Sequence, residues 1–243
     1  MLNIEHFSKT YIGGKQAVID LSLHVAPGEI YGFIGHNGAG KTTTLRAIAG
    51  ILSFEEGRIT VAGHDIVTDS VAAKSALAFL PDNPDLYDFL TGIKYLNFIA
   101  DIYNVPKEAR EALISKYAGA FELTAVLGSP IASYSHGMKQ KLALISAFIH
   151  SPRLLILDEP FVGLDPKAAF LMKGFLGELC EAGGAVFFST HVLDVAEKLC
   201  HKIAIIKDAR LVVAGPTADI VGNSSLEHVF LDLEARSATE QGV

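Results

Sequence analysis

The sequence has few cysteines and no long apolar run, and each shortage excludes a class of protein. Two cysteines, Cys180 and Cys200, occur in 243 residues. They are too few for a disulfide framework and lack metal-ligand spacing, so we expect two free thiols in a reducing cytosol. The longest apolar run, Leu142 to Ile149, is interrupted by Ser146. It is far shorter than the roughly 20 residues of a membrane-spanning helix, so the chain is not expected to cross a bilayer by itself.

Charge is also sparse, and basic residues are in the minority. The 20 Lys and Arg residues against 27 Asp and Glu residues give a net charge of −7. Such a balance offers no general attraction to a nucleic-acid backbone, and we expect no nucleic-acid partner. Hydrophobic residues make up 50% of the chain. This content excludes a disordered or collagen-like protein and is enough to bury a sizeable core.

Strand-like and helix-like segments alternate along the chain. Strands are predicted at residues 19–25, 29–34, 57–63, 77–80, 154–157, 185–189, 203–206 and 211–213. Helices are predicted at residues 42–52, 91–127 with a break at Val105-Pro106, 137–149, 166–181 and 192–200. This order predicts an α/β fold with a mainly parallel sheet, an N-terminal antiparallel β subdomain and an inserted helical subdomain at about 84–150. We assign residues 1–222 to one domain and 223–243 to a C-terminal helix and polar tail.

A glycine-rich segment lies between the strand at 29–34 and the helix that follows it. Residues 35–42 read GHNGAGKT and fit the pattern GxxxxGK[ST] in its required strand-to-helix context. Glycines there let backbone N–H groups turn toward phosphate oxygens, and the helix N-terminus adds partial positive charge. The alternative is an ordinary glycine-rich turn with a solvated lysine. The pattern predicts a P-loop NTPase core that binds ATP through Gly35, Asn37, Gly38, Ala39, Gly40, Lys41, Thr42 and Thr43.

Within this loop, Lys41 is expected to reach the β and γ phosphates, and Thr42 to ligate Mg²⁺. Two carboxylates, Asp158 and Glu159, directly follow the apolar strand at 154–157. An open α/β sheet binds its ligands at this edge, so Asp158 is expected to hold Mg²⁺ and Glu159 to polarise the attacking water. The alternative is a solvated acidic turn at the end of a strand.

A third segment, residues 134–140, reads YSHGMKQ. It resembles the signature, usually written LSGGQ, of the nucleotide-binding subunits of ATP-binding cassette (ABC) transporters, and the likeness extends over nearly the whole chain. Ser135 and Gly137 match the signature, whereas Tyr134 and His136 replace its usual Leu and Gly. In that family Ser135 and Gly137 would bind the γ-phosphate of an ATP held by the other subunit of a dimer.

The same resemblance implies roles for four further residues. Tyr11 would stack on adenine, although a packed strand-end aromatic is an alternative. Asp165, in the segment GLDP, resembles the aspartate of the family's D-loop, and His191 resembles the switch histidine that senses the γ-phosphate. Asp82 stands where the family usually carries glutamine. We expect Asp82 to act in catalysis through Mg²⁺, with a solvated loop aspartate as the alternative.

The resemblance implies a head-to-tail homodimer that closes around two ATP molecules with Mg²⁺ and powers a separate transmembrane permease. The signature and the tail around Ser225 to Phe230 resemble those of the exporter-type subfamily. Through its permease, the chain is expected at the cytoplasmic face of the cell membrane. Two other readings stay open. One is a soluble cassette ATPase that acts on nucleic acid or ribosomes. The other is a P-loop kinase, which would bind ATP as a monomer and would not need Ser135.

Overall fold

The computed structural model describes residues 1–240. The strands in this part of the chain, β1 to β10 in chain order, are Leu2–Thr10, Gln16–Val25, Ile30–Ile34, Glu56–Val61, His64–Asp65, Leu77–Leu80, Leu154–Asp158, Ala185–Thr190, Lys202–Lys207 and Arg210–Pro216. The α-helices, α1 to α9, are Lys41–Ile48, Ser70–Ser75, Gly92–Ile102, Lys107–Ala120, His136–Phe148, Pro166–Glu181, Leu193–Leu199, Thr217–Val221 and Leu226–Glu240. Two single turns of 3₁₀ helix, Thr124–Val126 and Ile131–Ser133, join α4 to α5.

Two sheets organise these elements. The larger sheet has the strand order β10-β9-β3-β8-β7-β6, and all of its neighbours are parallel except β9 and β10. The smaller sheet, in the order β2-β1-β4-β5, is antiparallel. Helices α3, α4 and α5 lie in sequence between β6 and β7. The predicted α/β fold with a mainly parallel sheet and an antiparallel N-terminal part is therefore confirmed.

Both faces of the central strands are buried, which explains why their sequences are apolar up to the polar residues at the carboxyl ends of β7 and β8. Every residue of β3, β7 and β8 is buried. One core cluster fills the space between one face of the sheet and the helices α3 to α6, and a second lies between the other face and the antiparallel sheet. Strands covered on both sides have no polar face, so a continuous apolar run marks them better than alternation does.

The first strand, β1, was not predicted from the sequence. Its pairing with β2 is interrupted by register shifts between Ile4 and Phe7 and again before Thr10, and His6 has a φ of +49°. Each shift changes which face the next side chain takes, so the apolar residues of β1 do not alternate regularly. The short helix α2 was also missed.

Several other expectations can be compared with the structure. Both cysteines are free and buried, and burial raises the pKa of the Cys180 thiol to about 11. Within residues 1–240, no helix combines the length and the apolar character needed to cross a membrane. In the segment predicted as a C-terminal helix and polar tail, α9 spans Leu226–Glu240, and residues 241–243 lie outside the described residues.

Candidate functional site

The predicted site residues converge at one edge of the larger sheet. Strands β6, β7, β8 and β3 are neighbours and parallel, so the segments that follow them meet at their carboxyl ends. A cleft of about 240 Å³ lies there. Its walls combine the loop after β3, the acidic pair after β7 and the loop after β6, and they consist of Tyr11, Lys15, Ala17, His36, Asn37, Gly38, Gly40, Lys41, Thr42, Thr43, Asp82, Asp158 and Glu159.

Glycine is required at several places in the phosphate loop. Gly38 and Gly40 have φ values of +83° and +114°, which other residues rarely adopt. A Cβ atom at Gly40 would overlap the carbonyl oxygen of Ala17, and one at Gly35 would overlap that of Ile206. The loop therefore packs tightly against its neighbours while its backbone turns into α1, whose first residue is Lys41.

The side chain of Lys41 is almost completely buried beneath this loop. Its Nζ atom donates to the carbonyl oxygens of Gly35, at 2.5 Å, and His36, at 3.2 Å, and lies 3.7 Å from Oε1 of Glu159. Burial lowers the pKa of Lys41 from its usual value, and the carboxylates of Glu159 and Asp158 oppose that shift. The ammonium group is thus held at the bottom of the cleft by acceptors that phosphate oxygens can replace.

Asp158 ends β7 and is held by a residue that sequence reasoning missed. The hydroxyl of Ser189, on β8, donates to Oδ1 of Asp158 and accepts the backbone N–H of Glu159 at 3.1 Å. Oδ2 of Asp158 is buried and has no hydrogen-bond partner among the described residues. Since a buried carboxylate oxygen without a partner is costly, this atom is suited to a cation or a bound water. Only the register of β7 with β8, in which Asp158 pairs with Ser189, reveals the role of Ser189.

Glu159, which lines the cleft, forms a second pair with His191. Nδ1 of His191 lies 2.9 Å from Oε1 of Glu159, and the backbone N–H of His191 donates to Oε2 at 3.3 Å. Glu159 has a φ of +47°, an unfavourable value for a residue other than glycine. Strained backbone of this kind clusters at functional sites, because only a fixed surrounding structure maintains it. The strand-end position predicted for both residues is observed.

Three polar side chains line the outer part of the cleft. Tyr11 is 39% exposed, and its hydroxyl lies 3.2 Å from Oγ1 of Thr43. Lys15, which was not predicted, closes the same β1–β2 turn by accepting the N–H of Tyr11 at its carbonyl oxygen. Asp82 is exposed, and its Oδ1 accepts the N–H of Asn83 at 2.9 Å. Asp82 therefore shares the cleft with Asp158 and also stabilises its own loop.

The residues of the predicted signature do not line this cleft. Ser135 is the N-cap of α5, and its hydroxyl accepts the N–H of Met138. Gly137 lies in the first turn of the same helix. Tyr134, which replaces the usual leucine, is buried, and its hydroxyl donates to the carbonyl of Val126 at 2.7 Å. A Cβ atom at Gly92 would overlap that hydroxyl, so the tyrosine fits because glycine begins α3.

Asp165 also lies outside the cleft. It is the N-cap of α6, where its side chain accepts the N–H of Ala168 at 2.8 Å. Its other oxygen is 2.6 Å from Nζ of Lys141 on α5. The Lys141 ammonium and the capping bond lower the pKa of Asp165. The contact of Asp165 with nucleotide stays a prediction.

The strand order, the phosphate loop and the two carboxylates beside it define an α/β ATPase of the P-loop type. A family model described as ABC transporter matches residues 18–162. The chain belongs to the ABC transporter family, and it is similar throughout to the ATP-binding subunits of that family.

Two curated relatives from Bacillus subtilis (strain 168) illustrate the similarity. YdbJ, an uncharacterized ABC transporter ATP-binding protein, is 37% identical over 212 residues, which cover 87% of this chain and 68% of YdbJ. The ABC-type transporter ATP-binding protein EcsA is 32% identical over 224 residues, covering 90% of this chain and 91% of EcsA. The match with EcsA therefore includes most of both chains.

Solved structures agree with the fold. The structure of an ATP-binding subunit of an ABC transporter has a TM-score of 0.92 and 31% identity, covering 96% of this chain and 99% of that one. A dimeric, post-hydrolysis structure of the ATP-binding cassette MJ0796, bound to ADP and Pi, has a TM-score of 0.80 and 22% identity, covering 89% and 99%. CbiO1 from Clostridium perfringens, part of the transporter complex cbiONQ, has a TM-score of 0.77 and 22% identity, covering 99% and 98%.

Loss of the Ser189 hydroxyl should disturb the position of Asp158. Ser189→Ala removes the donor to Asp158 and the acceptor for Glu159, so it should lower ATPase turnover by about tenfold to a hundredfold, as loss of a residue that orients a ligand does. It should also raise the magnesium concentration needed for half-maximal activity. Both quantities can be measured by phosphate release at varied magnesium.

Ser146→Ala is the matched control. Ser146 is a buried serine on α5 whose hydroxyl donates to the carbonyl of Ala143, away from the cleft. Ser146→Ala should lose about 1 kcal/mol of unfolding free energy, and Ser189→Ala should lose more, because it leaves an oxygen of a buried carboxylate without its donor. An equal, small loss of activity in the two proteins, with unchanged magnesium dependence, would show that Ser189 matters for folding only.

Proposed function

We propose that this chain hydrolyses ATP between two copies of itself, arranged head to tail, and thereby powers a separate transmembrane permease for export. The observation that carries the proposal is the division of the predicted residues between two places. The cleft gathers the phosphate loop, Asp158 and Glu159, whereas Ser135 and Gly137 lie outside it. A second copy is needed to bring the N-terminus of α5 to the phosphates of the first.

Glu159 is the group that accepts the proton of the attacking water. Its Oε1 is buried without an aligned hydrogen bond, while its Oε2 is held by the backbone of His191. The backbone of His191 thus positions Oε2, while Oε1 lies 2.9 Å from Nδ1 of His191 and 3.7 Å from Nζ of Lys41. A carboxylate held in this way beside the phosphate loop can act as a general base. His191 is 54% exposed beside this carboxylate and can contact the γ-phosphate from the mouth of the cleft.

The residues of the cleft also fit Mg²⁺. Within residues 1–240, no group of three or more His, Cys, Asp or Glu residues is placed to hold a metal ion. The unpartnered oxygen of Asp158 and the hydroxyl of Thr42 can supply two ligands, with phosphate oxygens and water supplying the rest. Asp82, which lines the same cleft, would hold a water of the cation. When bound, the cation neutralises charge on the phosphates during hydrolysis.

Adenine stacks on Tyr11, whose ring is partly exposed at the edge of the cleft.

Asp165 contributes to the nucleotide site only after two copies meet, because in the single chain it caps α6 and pairs with Lys141. The dimeric arrangement of the similar cassette MJ0796 supports this proposal.

The permease docks on a groove beside the cleft. The groove, of about 340 Å³, lies between β6, α3 and α5 and includes Tyr95 and Tyr103. It continues into an aromatic patch formed by Tyr87, Phe89 and Phe98, which are 47%, 82% and 42% exposed. Contiguous exposed apolar side chains of this kind mark protein interfaces. The similar protein CbiO1 belongs to a larger transporter complex, which supports a permease partner here.

In this assembly residues 1–222, with the helical insertion at about 84–150, work as the cassette, and α9 follows it. The chain sits at the cytoplasmic face of the membrane through its permease. The exporter subfamily is supported by the signature and tail resemblance. A soluble cassette that acts on nucleic acid is not favoured, because the net charge is −7 and the aromatic patch is suited to an apolar partner.

Glu159→Gln tests the proposed base. The amide keeps the size of the side chain but accepts a proton poorly, so ATP binding should persist while turnover falls by at least about a hundredfold. An ATP-bound dimer should accumulate, because opening requires hydrolysis. Phosphate release and size-exclusion chromatography with ATP measure the two effects. An active Glu159→Gln protein that remains a monomer with ATP would contradict the proposal.

Mixing two inactive variants tests the composite site. Lys41→Ala removes the phosphate-binding lysine, and Ser135→Arg blocks the N-terminus of α5. In a head-to-tail heterodimer of the two, one site receives both defects and the other keeps both intact residues, so ATPase activity should return on mixing. Mixing Lys41→Ala with Glu159→Gln is the control, because those residues belong to one cleft and each site of the heterodimer then keeps a defect. Activity that returns in neither mixture, while both Lys41→Ala and Ser135→Arg fold, would exclude the shared site.

Phe89→Glu tests the docking surface. A charge in the aromatic patch should abolish co-purification of proteins with transmembrane helices from detergent-solubilised membranes, while the ATPase activity of the chain alone is unchanged. Val212→Glu, at a residue that is 45% exposed on β10, is the control and should co-purify them as the unaltered chain does. Mass spectrometry identifies the captured proteins. Equal capture by both variants would place the permease elsewhere.

A further inference from the structure

The C-terminal helix α9 contacts the phosphate loop directly. The ring of Phe230 packs edge-on against the ring of His36, with centroids 4.8 Å apart and planes at 65°. His36 is the second residue of the loop and is exposed, whereas Phe230 is half-buried against the core. A segment almost 200 positions further along the chain thus touches the loop that is predicted to hold ATP.

Phe230 is held in a fixed position by the anchoring of α9. At the start of the helix, Leu226 is fully buried, and its N–H donates to Oε2 of Glu197 at 2.7 Å. Further along, Nζ of Lys207, at the end of β9, donates to the carbonyl of Leu233 at 3.3 Å. These two contacts lie on either side of Phe230 in the sequence, so they limit how far Phe230 can move together with the loop.

The backbone of His36 in turn supports the phosphate-binding lysine. The carbonyl oxygen of His36 accepts Nζ of Lys41 at 3.2 Å and the N–H of Ala39 at 3.2 Å. The orientation of the His36 peptide therefore fixes one acceptor of the ammonium group and one turn of the loop. A contact that restrains the His36 ring limits the movement of its Cα atom, and therefore also limits the peptide that follows it.

We propose that Phe230 is a positioning residue for ATP binding: by holding the His36 ring, it keeps the phosphate loop in the conformation that receives the nucleotide. Without the ring pair, the loop around His36 loses one of its restraints and samples more conformations, so ATP binding must order it. Once ATP is bound, the phosphates order the loop, so the effect falls on affinity and leaves turnover at saturation unchanged. The inference rests on the proposed ATP site in the cleft.

Phe230→Ala should weaken ATP binding by about twofold to tenfold, which is the change that one aromatic pair produces. Calorimetric titration with ATP and magnesium gives Kd, and phosphate release at saturating ATP gives kcat, which should stay within about twofold of its original value. Ile220→Ala is the control, because Ile220 is a partly buried residue of α8 that packs on the same core. It should lower the melting temperature to a similar degree without changing Kd.

A double-mutant cycle with His36→Ala separates positioning from folding. If the two rings act together, the loss of affinity in the double variant should be smaller than the product of the two single losses. An unchanged Kd in Phe230→Ala, equal effects of Phe230→Ala and Ile220→Ala, or fully multiplicative losses would each overturn the inference. Lys41→Ala distinguishes the two proposals: if it still binds ATP normally, the proposed site itself is wrong.

Discussion

The parallel pairing of β3, β8 and β7 is the constraint on which the rest of the site depends. Parallel neighbours share a direction, so whatever follows each strand emerges at the same edge of the sheet. Ile34 pairs with Thr190, and Asp158 pairs with Ser189. These pairs align the carboxyl ends of the three strands to within one residue. A slip of one residue in either pair would turn Asp158 or Ser189 to the other face of the sheet. Burial of all three strands on both faces makes such a slip costly, so the core maintains the geometry of the cleft.

Much of this arrangement was predictable, because each predicted feature has a local cause. Strand β6 and helix α6 have the predicted bounds, since Pro81 stops the strand and Asp165 with Pro166 begins the helix. The phosphate loop is a continuous motif, so Gly35, Gly40, Lys41 and Thr42 are identified by their spacing in the sequence alone. The acidic pair is equally local, since it directly follows an apolar run.

The features that were missed depend on contacts between distant segments. Ser189 contacts Asp158 only because of the register between β7 and β8. The bulges of β1 disrupt the alternation of apolar and polar residues by which a strand is recognised. The tyrosine at position 134 is compatible with α3 only because Gly92 leaves room for its hydroxyl. The pair between His36 and Phe230 joins segments that no local pattern connects. Sequence periodicity reports on residues within one helix or strand. All of these contacts join different elements, so periodicity does not reveal them.

The electrostatics of the cleft also decide what must accompany the nucleotide. One buried ammonium group, that of Lys41, faces two carboxylates. Glu159 also contacts His191, whereas Oδ2 of Asp158 has no hydrogen-bond partner among the described residues. A polyphosphate entering alone would add like charge beside Asp158 and Glu159, which costs free energy in a site of low dielectric constant. The N-terminus of α1 and Lys41 offset only part of that charge. A divalent cation held by Asp158 would offset the remaining repulsion, so we expect the proposed nucleotide to bind to this cleft together with magnesium.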